Sequence, residues 1–227
     1  MHPREKFVTD LQWLSDNVLL MIDKVHHQME LALAAYDLLD PSTQGLVSEL
    51  DQQVNSLRFE IEDKCVELIA MQQPAARDLR LIVAVMNMIV DLERMGDQAK
   101  GVMKALKHMH TRPMENRPPE IHKMGEAVLV MLDSTRNAYV NNDMALAATT
   151  AGADEEVDKL YAKAFTQVMF RMADAQTPEQ IEAEYELLRV AREFERFGDL
   201  VTNVAERLIF LATGRMKELN TDPAPAD

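Results

Sequence analysis

Apolar residues along this chain recur at intervals of three and four, the spacing that places them on one face of a helix. On that basis a first helix runs from about Arg4 to Leu38. It stops at Leu39-Asp40-Pro41-Ser42, where Asp40 is a natural N-cap and Pro41 a first-turn residue for the second helix. The second helix continues to about Met71 and breaks at Gln72-Gln73-Pro74, because the residue before a proline is driven out of helical backbone. A third spans about Ala75 to His110. The stretch Thr111-Arg112-Pro113-Met114-Glu115-Asn116-Arg117-Pro118-Pro119 holds three prolines and cannot continue a helix, so it reads as a linker. A fourth helix covers about Glu120 to Tyr139, and Asn141-Asn142-Asp143 separates it from a fifth that reaches about Met172. Thr177-Pro178-Glu179-Gln180 combines a capping box with proline at the first helical position. It opens a sixth helix, which Gly214 ends. The tail beyond Asn220 is expected to be disordered.

The pattern also repeats on a longer scale. Asp91-Leu92-Glu93-Arg94-Met95-Gly96-Asp97 in the third helix matches Glu193-Phe194-Glu195-Arg196-Phe197-Gly198-Asp199 in the sixth, 102 positions later. The apolar stripe Val85, Met88, Leu92, Met95, Ala99, Val102, Leu106 recurs at that offset as Leu187, Val190, Phe194, Phe197, Val201, Val204, Leu208. The second and fifth helices match at an offset of 103, Asp51-Gln52-Gln53-Val54-Asn55 against Asp154-Glu155-Glu156-Val157-Asp158. The expected fold is therefore all-α: two tandem, internally repeated three-helix antiparallel bundles. Residues 1–112 would form the first, 118–215 the second, and 216–227 the tail.

Composition narrows the function. The core must be aliphatic, since 47% of the residues are hydrophobic but only 5% aromatic, with 16 Met among 227 residues. A net charge of −14 argues against nucleic acid, whose phosphates need clustered Lys and Arg, and suits a cation or a basic protein surface. No apolar run approaches the roughly 18–20 residues of a membrane span. The N-terminal segment has no signal-peptide apolar core, and a single cysteine, Cys65, rules out an internal disulfide. Both fit a cytoplasmic protein. Cys65 lies on an apolar stripe and reads as a structural side chain.

Candidate chemistry lies in the duplicated acids. Glu93 and Asp97 share a helical face, as do Glu195 and Asp199. Each follows an apolar-stripe residue or the glycine, so it flanks the core by about 100° of rotation. Asp51 and Asn55 in the second helix, and Asp154 and Asp158 in the fifth, stand on similar shoulders. Neighbouring helices could gather them into one oxygen-rich cluster per half. Like charges so gathered repel, and a hard cation would reverse the sign. The plainer reading is a solvated acidic face. Gly96 and Gly198 tell against it, since glycine inside a helix costs about 1 kcal/mol relative to Ala. A side chain is unwelcome there either for close helix packing, the plainer reason, or for room beside the acids. Arg94 and Arg196 read as surface residues paired with nearby carboxylates. His26 and His27 are adjacent and diverge on a helix, whereas His108 and His110 with their basic neighbours complement a helix C-terminus. No nucleophile–base order, glycine-rich phosphate loop or zinc spacing is present in the sequence.

Taken together these motifs resemble the PhoU family. The resemblance rests on Leu92-Glu93-Arg94-Met95-Gly96-Asp97 and Phe194-Glu195-Arg196-Phe197-Gly198-Asp199, on Gln73-Pro74-Ala75-Ala76-Arg77-Asp78-Leu79-Arg80, on Asp51 to Asn55, and on Asn203 in Val201-Thr202-Asn203-Val204-Ala205-Glu206. It extends from about residue 10 to 215. Two departures stand out. Lys100 occupies a place where Asp or other polar character is usual, which makes the first cluster less acidic. The second half lacks the Gln-Pro-x-Ala-x-Asp-Leu-Arg entry, with Gln180 and Glu182 opposite Asp78 and Arg80.

The resemblance implies a cytoplasmic, non-enzymatic negative regulator of phosphate uptake and of the phosphate-starvation response. It would act between a phosphate ABC transporter's ATPase subunit and a membrane sensor histidine kinase, commonly as a homodimer. It also implies metal (Fe, Zn, Mg or Mn) at the acidic motifs. The expected ligands are Glu93, Asp97, Asp51 and Asn55 in one half and Glu195, Asp199, Asp154 and Asp158 in the other. Two alternatives compete: a carboxylate-bridged metalloenzyme, weakened by the lack of histidine near either motif, and a metal-free helical scaffold.

Overall fold

A computed structural model of the chain describes residues 3–109 and 117–214. Among them every long element is a helix: α1 (Pro3–Leu38), α2 (Gln44–Gln72), α3 (Ala76–Met109), α4 (Pro119–Asn141), α5 (Met144–Gly152), α6 (Asp154–Asp174) and α7 (Pro178–Thr213). Much of the expected linker and all of the expected tail lie outside the described residues.

The helix boundaries have local causes. α1 ends on Leu39 at φ 50° and α4 on Asn142 at φ 52°, both left-handed. At each end the next backbone N–H reaches back to close the last turn, Asp40 to the Ala35 carbonyl at 3.0 Å and Asp143 to the Ala138 carbonyl at 2.9 Å. Each of those aspartates then caps the helical turn after it. Asp40 Oδ1 accepts from the Ser42 N–H at 2.9 Å, opening a single 3-10 turn before α2. Asp143 Oδ1 accepts from the Leu146 N–H at 3.0 Å, opening α5. α7 begins with the capping box at Thr177 and Gln180, and Gly214 closes it at φ 69°.

One expectation fails. The segment expected to be a single fifth helix is two, α5 and α6, parted at Ala153, whose N–H bonds the Thr150 carbonyl at 3.0 Å. Gly152 is a weak helix former, and the Thr149 and Thr150 hydroxyls bond back to carbonyls of the preceding turn. The acidic run Asp154-Glu155-Glu156 is favourable at the new N-terminus it creates. Apolar periodicity continues across the break, which is why the pattern conceals it.

In the assembled molecule α1, α3, α4 and α7 form a central block, because α3 packs on α7 and α1 on α4. α2 covers one flank against α1 and α3, and α6 the other against α4 and α7. The broadest contact is between the two halves, α3 against α7. Both helices are accordingly buried around most of their circumference: Val85, Met88, Leu92, Met95 and Ala99 are fully enclosed, as are Leu187, Val190, Phe194, Phe197 and Val201. Phe194 meets the buried Tyr36 of α1 edge-on at 6.3 Å, and Gly125 of α4 leaves room for Leu33 and Phe194. Cys65 is buried in the first half, and desolvation pushes its thiol up to about 12, which suits a structural role.

Candidate functional site

In the first half three helices converge on the acidic motif. α2 contributes Asp51 and Asn55, α3 contributes Asp97 and Lys100, and α1 contributes Gln28. The Lys100 ammonium donates to Asp51 Oδ2 at 2.8 Å and to Asp97 Oδ1 at 2.9 Å, tying α2 to α3. Asn55 Nδ2 donates to the same Asp51 oxygen at 3.2 Å. Asp51 is almost fully buried, and its other oxygen, Oδ1, has no hydrogen-bond donor. Nor has Gln28 Oε1, although Gln28 Nε2 donates to the Val47 carbonyl at 3.2 Å. Both acceptors crowd Gly96: a Cβ there would lie 3.0 Å from Gln28 Oε1 and 3.4 Å from Asp51 Oδ1. The glycine thus makes room for the oxygens. Glu93 is turned toward Arg58 of α2, at 3.5 Å. The paired carboxylates raise the Lys100 pKa despite its partial desolvation.

The second half repeats the frame with different charges. Asp154 is buried at the start of α6, and a Cβ on Gly198 would lie 2.8 Å from its Oδ1. Position 202, equivalent to Lys100 at the 102-residue offset, is a buried threonine whose Oγ1 has no partner. Position 202 therefore brings no ammonium to these acids, while the Arg192 and Arg196 guanidiniums lie near Asp199. Asp199 is raised by desolvation and then by the facing Asp158 carboxylate. Glu195 is raised by desolvation and then by Asp199, even though Arg192 donates to its Oε1. The structure therefore places Asp158, Glu195 and Asp199 within electrostatic reach of one another. Among the described residues no three His, Cys, Asp or Glu side chains already stand as a metal-ligand set, so neither cluster is a closed coordination shell.

Two acids that the sequence left unassigned lie in the seam between the halves. Asp91 of α3 is buried against α7 and takes a hydrogen bond from Asn203; desolvation raises its pKa while Arg207 and Arg94 counter it. Glu193 of α7 lies on Gly101 of α3, where a Cβ would stand 2.4 Å from its carboxyl carbon. It too is raised by desolvation and lowered by Arg196, Arg189 and Lys104. Positions 91 and 193 are repeat equivalents, as are 101 and 203, so the seam is reciprocal. Each is the first residue of its matched motif, and neither has an acidic residue four positions on. Gln28 was legible only as a polar residue in the α1 stripe between Val25 and Ala32. Arg94 and Arg196 are exposed beside these acids, as surface partners of carboxylates.

The family model described as the PhoU domain matches the chain twice, over residues 18–106 and 121–208. The chain belongs to the PhoU family. Each PhoU match carries one acidic cluster. A Clostridium acetobutylicum protein named phosphate-specific transport system accessory protein PhoU homolog is 32% identical over 96% of this chain and 99% of its own length. A Caulobacter vibrioides protein of the same name is 36% identical over 94% of this chain and 92% of its own. The crystal structure of PhoU from Pseudomonas aeruginosa superimposes with a TM-score of 0.87 at 30% identity, covering 92% of this chain and all of that one. The phosphate transport system regulatory protein PhoU from Streptococcus pneumoniae gives 0.85 at 29% identity, over 93% and 99%. No helix among the described residues is long and apolar enough to cross a membrane.

Proposed function

We propose that this chain is a cytoplasmic negative regulator of phosphate uptake and of the phosphate-starvation response, an adaptor between a phosphate ABC transporter's ATPase subunit and a sensor histidine kinase. The observation that carries the reading is the end-to-end match to accessory proteins of phosphate-specific transport systems. The strongly acidic chain suits docking on basic partner surfaces. Homodimers and an absence of turnover belong to the same reading.

The acidic clusters would contribute cation binding, and the two halves differ in how well they fit a metal. Asp158, Glu195 and Asp199 offer hard oxygen ligands whose mutual repulsion a divalent or trivalent ion would relieve, and Asp154 stands beside Gly198 one turn before Asp158, so they fit. When bound, the ion would supply positive charge that holds α6 to α7. In the first half Asp51 and Asp97 are already bridged by Lys100, so a metal must compete with an ammonium there. That bridge favours the metal-free scaffold reading for this one cluster.

The regulatory reading is tested by expressing the chain in a bacterium lacking its own PhoU and following a phosphate-starvation reporter in phosphate-rich medium. Repression of the reporter, with capture of the transporter ATPase and the kinase on the tagged chain, is the expected result. A reporter that stays fully on in the presence of folded chain removes the proposal.

A further inference from the structure

We infer that Lys100 is a built-in cation that stands in for metal in the N-terminal cluster, so that this half binds no ion. The inference rests on the reading of the acidic clusters as cation sites and narrows it to one half of the chain. Lys100 Nζ lies between carboxylates from two helices, 2.8 Å from Asp51 Oδ2 and 2.9 Å from Asp97 Oδ1, the place an ion bridging α2 and α3 would take. An ammonium this close to both carboxylates repels a second cation and occupies the lone pairs that cation needs. The remaining donors are still arranged for a cation. Gln28 is completely buried, and its Oε1 and Asp51 Oδ1 converge beside Gly96 with no hydrogen-bond donor. With Lys100 removed, Asp51, Asp97, Asn55 and Gln28 would offer an oxygen set from three helices. In the other half the equivalent position is Thr202, which carries no charge, so no lysine from this position bridges the helices there.

The test uses the full chain with Mn2+ as the probe, counting bound metal after equilibrium dialysis. The chains compared are the parent, Asp158→Asn/Asp199→Asn, Lys100→Met, and the combination of all three substitutions. The double Asn variant should bind Mn2+ at least about tenfold more weakly than the parent, since losing even an outer-shell partner of a ligand costs that much elsewhere. Adding Lys100→Met to it should restore one bound ion, which a further Asp97→Asn should remove. A parent that binds no Mn2+ while Lys100→Met gains an ion supports the inference and retires the metal reading of the C-terminal cluster. Mn2+ retained by the double Asn variant and lost on Asp97→Asn overturns the inference, as does a folded Lys100→Met chain that binds no more than the parent. Should Lys100→Met not fold, the parent reports directly through amine acylation read by peptide mass spectrometry. Lys100 should label more slowly than the exposed Lys104, at a rate that Mn2+ leaves unchanged. Faster labelling of Lys100 on adding Mn2+ means that the ion displaces the ammonium, and overturns the inference.

Discussion

The two acidic clusters share a backbone frame and differ in one electrostatic decision. In the first, Lys100 joins Asp51 to Asp97 and α2 to α3. In the second, Thr202 stands at the equivalent place and Asp158, Glu195 and Asp199 face one another, with the proton affinities of Glu195 and Asp199 raised. A duplicated fold can therefore bridge one copy of a site with a lysine and leave the other with carboxylates that face one another. The difference is not one of helix geometry, since glycine makes room for buried oxygens in both halves.

Removing the ammonium should break the comparison most sharply. Lys100→Met leaves Asp51 buried without its charged donor, and we expect a loss of about 1–3 kcal/mol in urea unfolding at neutral pH. Asp51→Asn added to that variant should recover most of the loss, because the stranded charge is then gone. The matching substitution in the other half, Thr202→Val, removes a buried hydroxyl that has no partner, and should leave stability unchanged or slightly higher.

Next in size are the glycines. Gly198→Ala would set a Cβ 2.8 Å from the carboxylate of the buried Asp154, where little can move, and should cost about 1–3 kcal/mol. Gly96→Ala meets the Gln28 amide at 3.0 Å, and relief there combines with better helix propensity to hold the change near zero. Thermal unfolding of the two variants side by side measures the contrast.

The smallest effect is a pH dependence that falls in different windows in the two halves, acidic in the second and alkaline in the first. Glu195 and Asp199 have folded values above their unfolded ones, so the native state holds their protons more tightly. The second cluster therefore stabilises the fold fully at acid pH, and that contribution is lost as pH rises through the raised values. Asp199→Asn should match or exceed the parent by a few tenths of a kcal/mol at neutral pH, the size of a like-charge repulsion. The advantage should vanish near pH 4 and below, about where carboxylates protonate. Lys100 is raised as well, and its contribution, present throughout neutral pH, is lost only as alkaline pH passes its folded value. Urea midpoints of parent and variant across pH check both trends.

Much of this was legible in the residues. The Asp40 and Thr177 caps, the break before Pro74 and the stop at Gly214 are local events, and local backbone chemistry placed them. The repeat was legible because both copies keep the same stripe. The split between α5 and α6 was not, since Gly152 and the two threonines act against an apolar pattern that continues across them. In the acidic site the shoulder positions of Asp51, Asn55 and Asp97 could be read from periodicity, whereas the turn of Glu93 toward Arg58 could not.

By itself the sequence determined an all-helical chain, its duplication and the faces on which the acids stand, because each follows from spacing along the helices. The tertiary structure alone decided that Lys100 reaches across to Asp51, that Gln28 brings a third helix to Gly96, and that Asp91 and Glu193 meet the opposite half. Those pairings depend on how far each helix is rotated and slid against its neighbours. That register is set by the whole core packing together, and no single stretch of sequence records it.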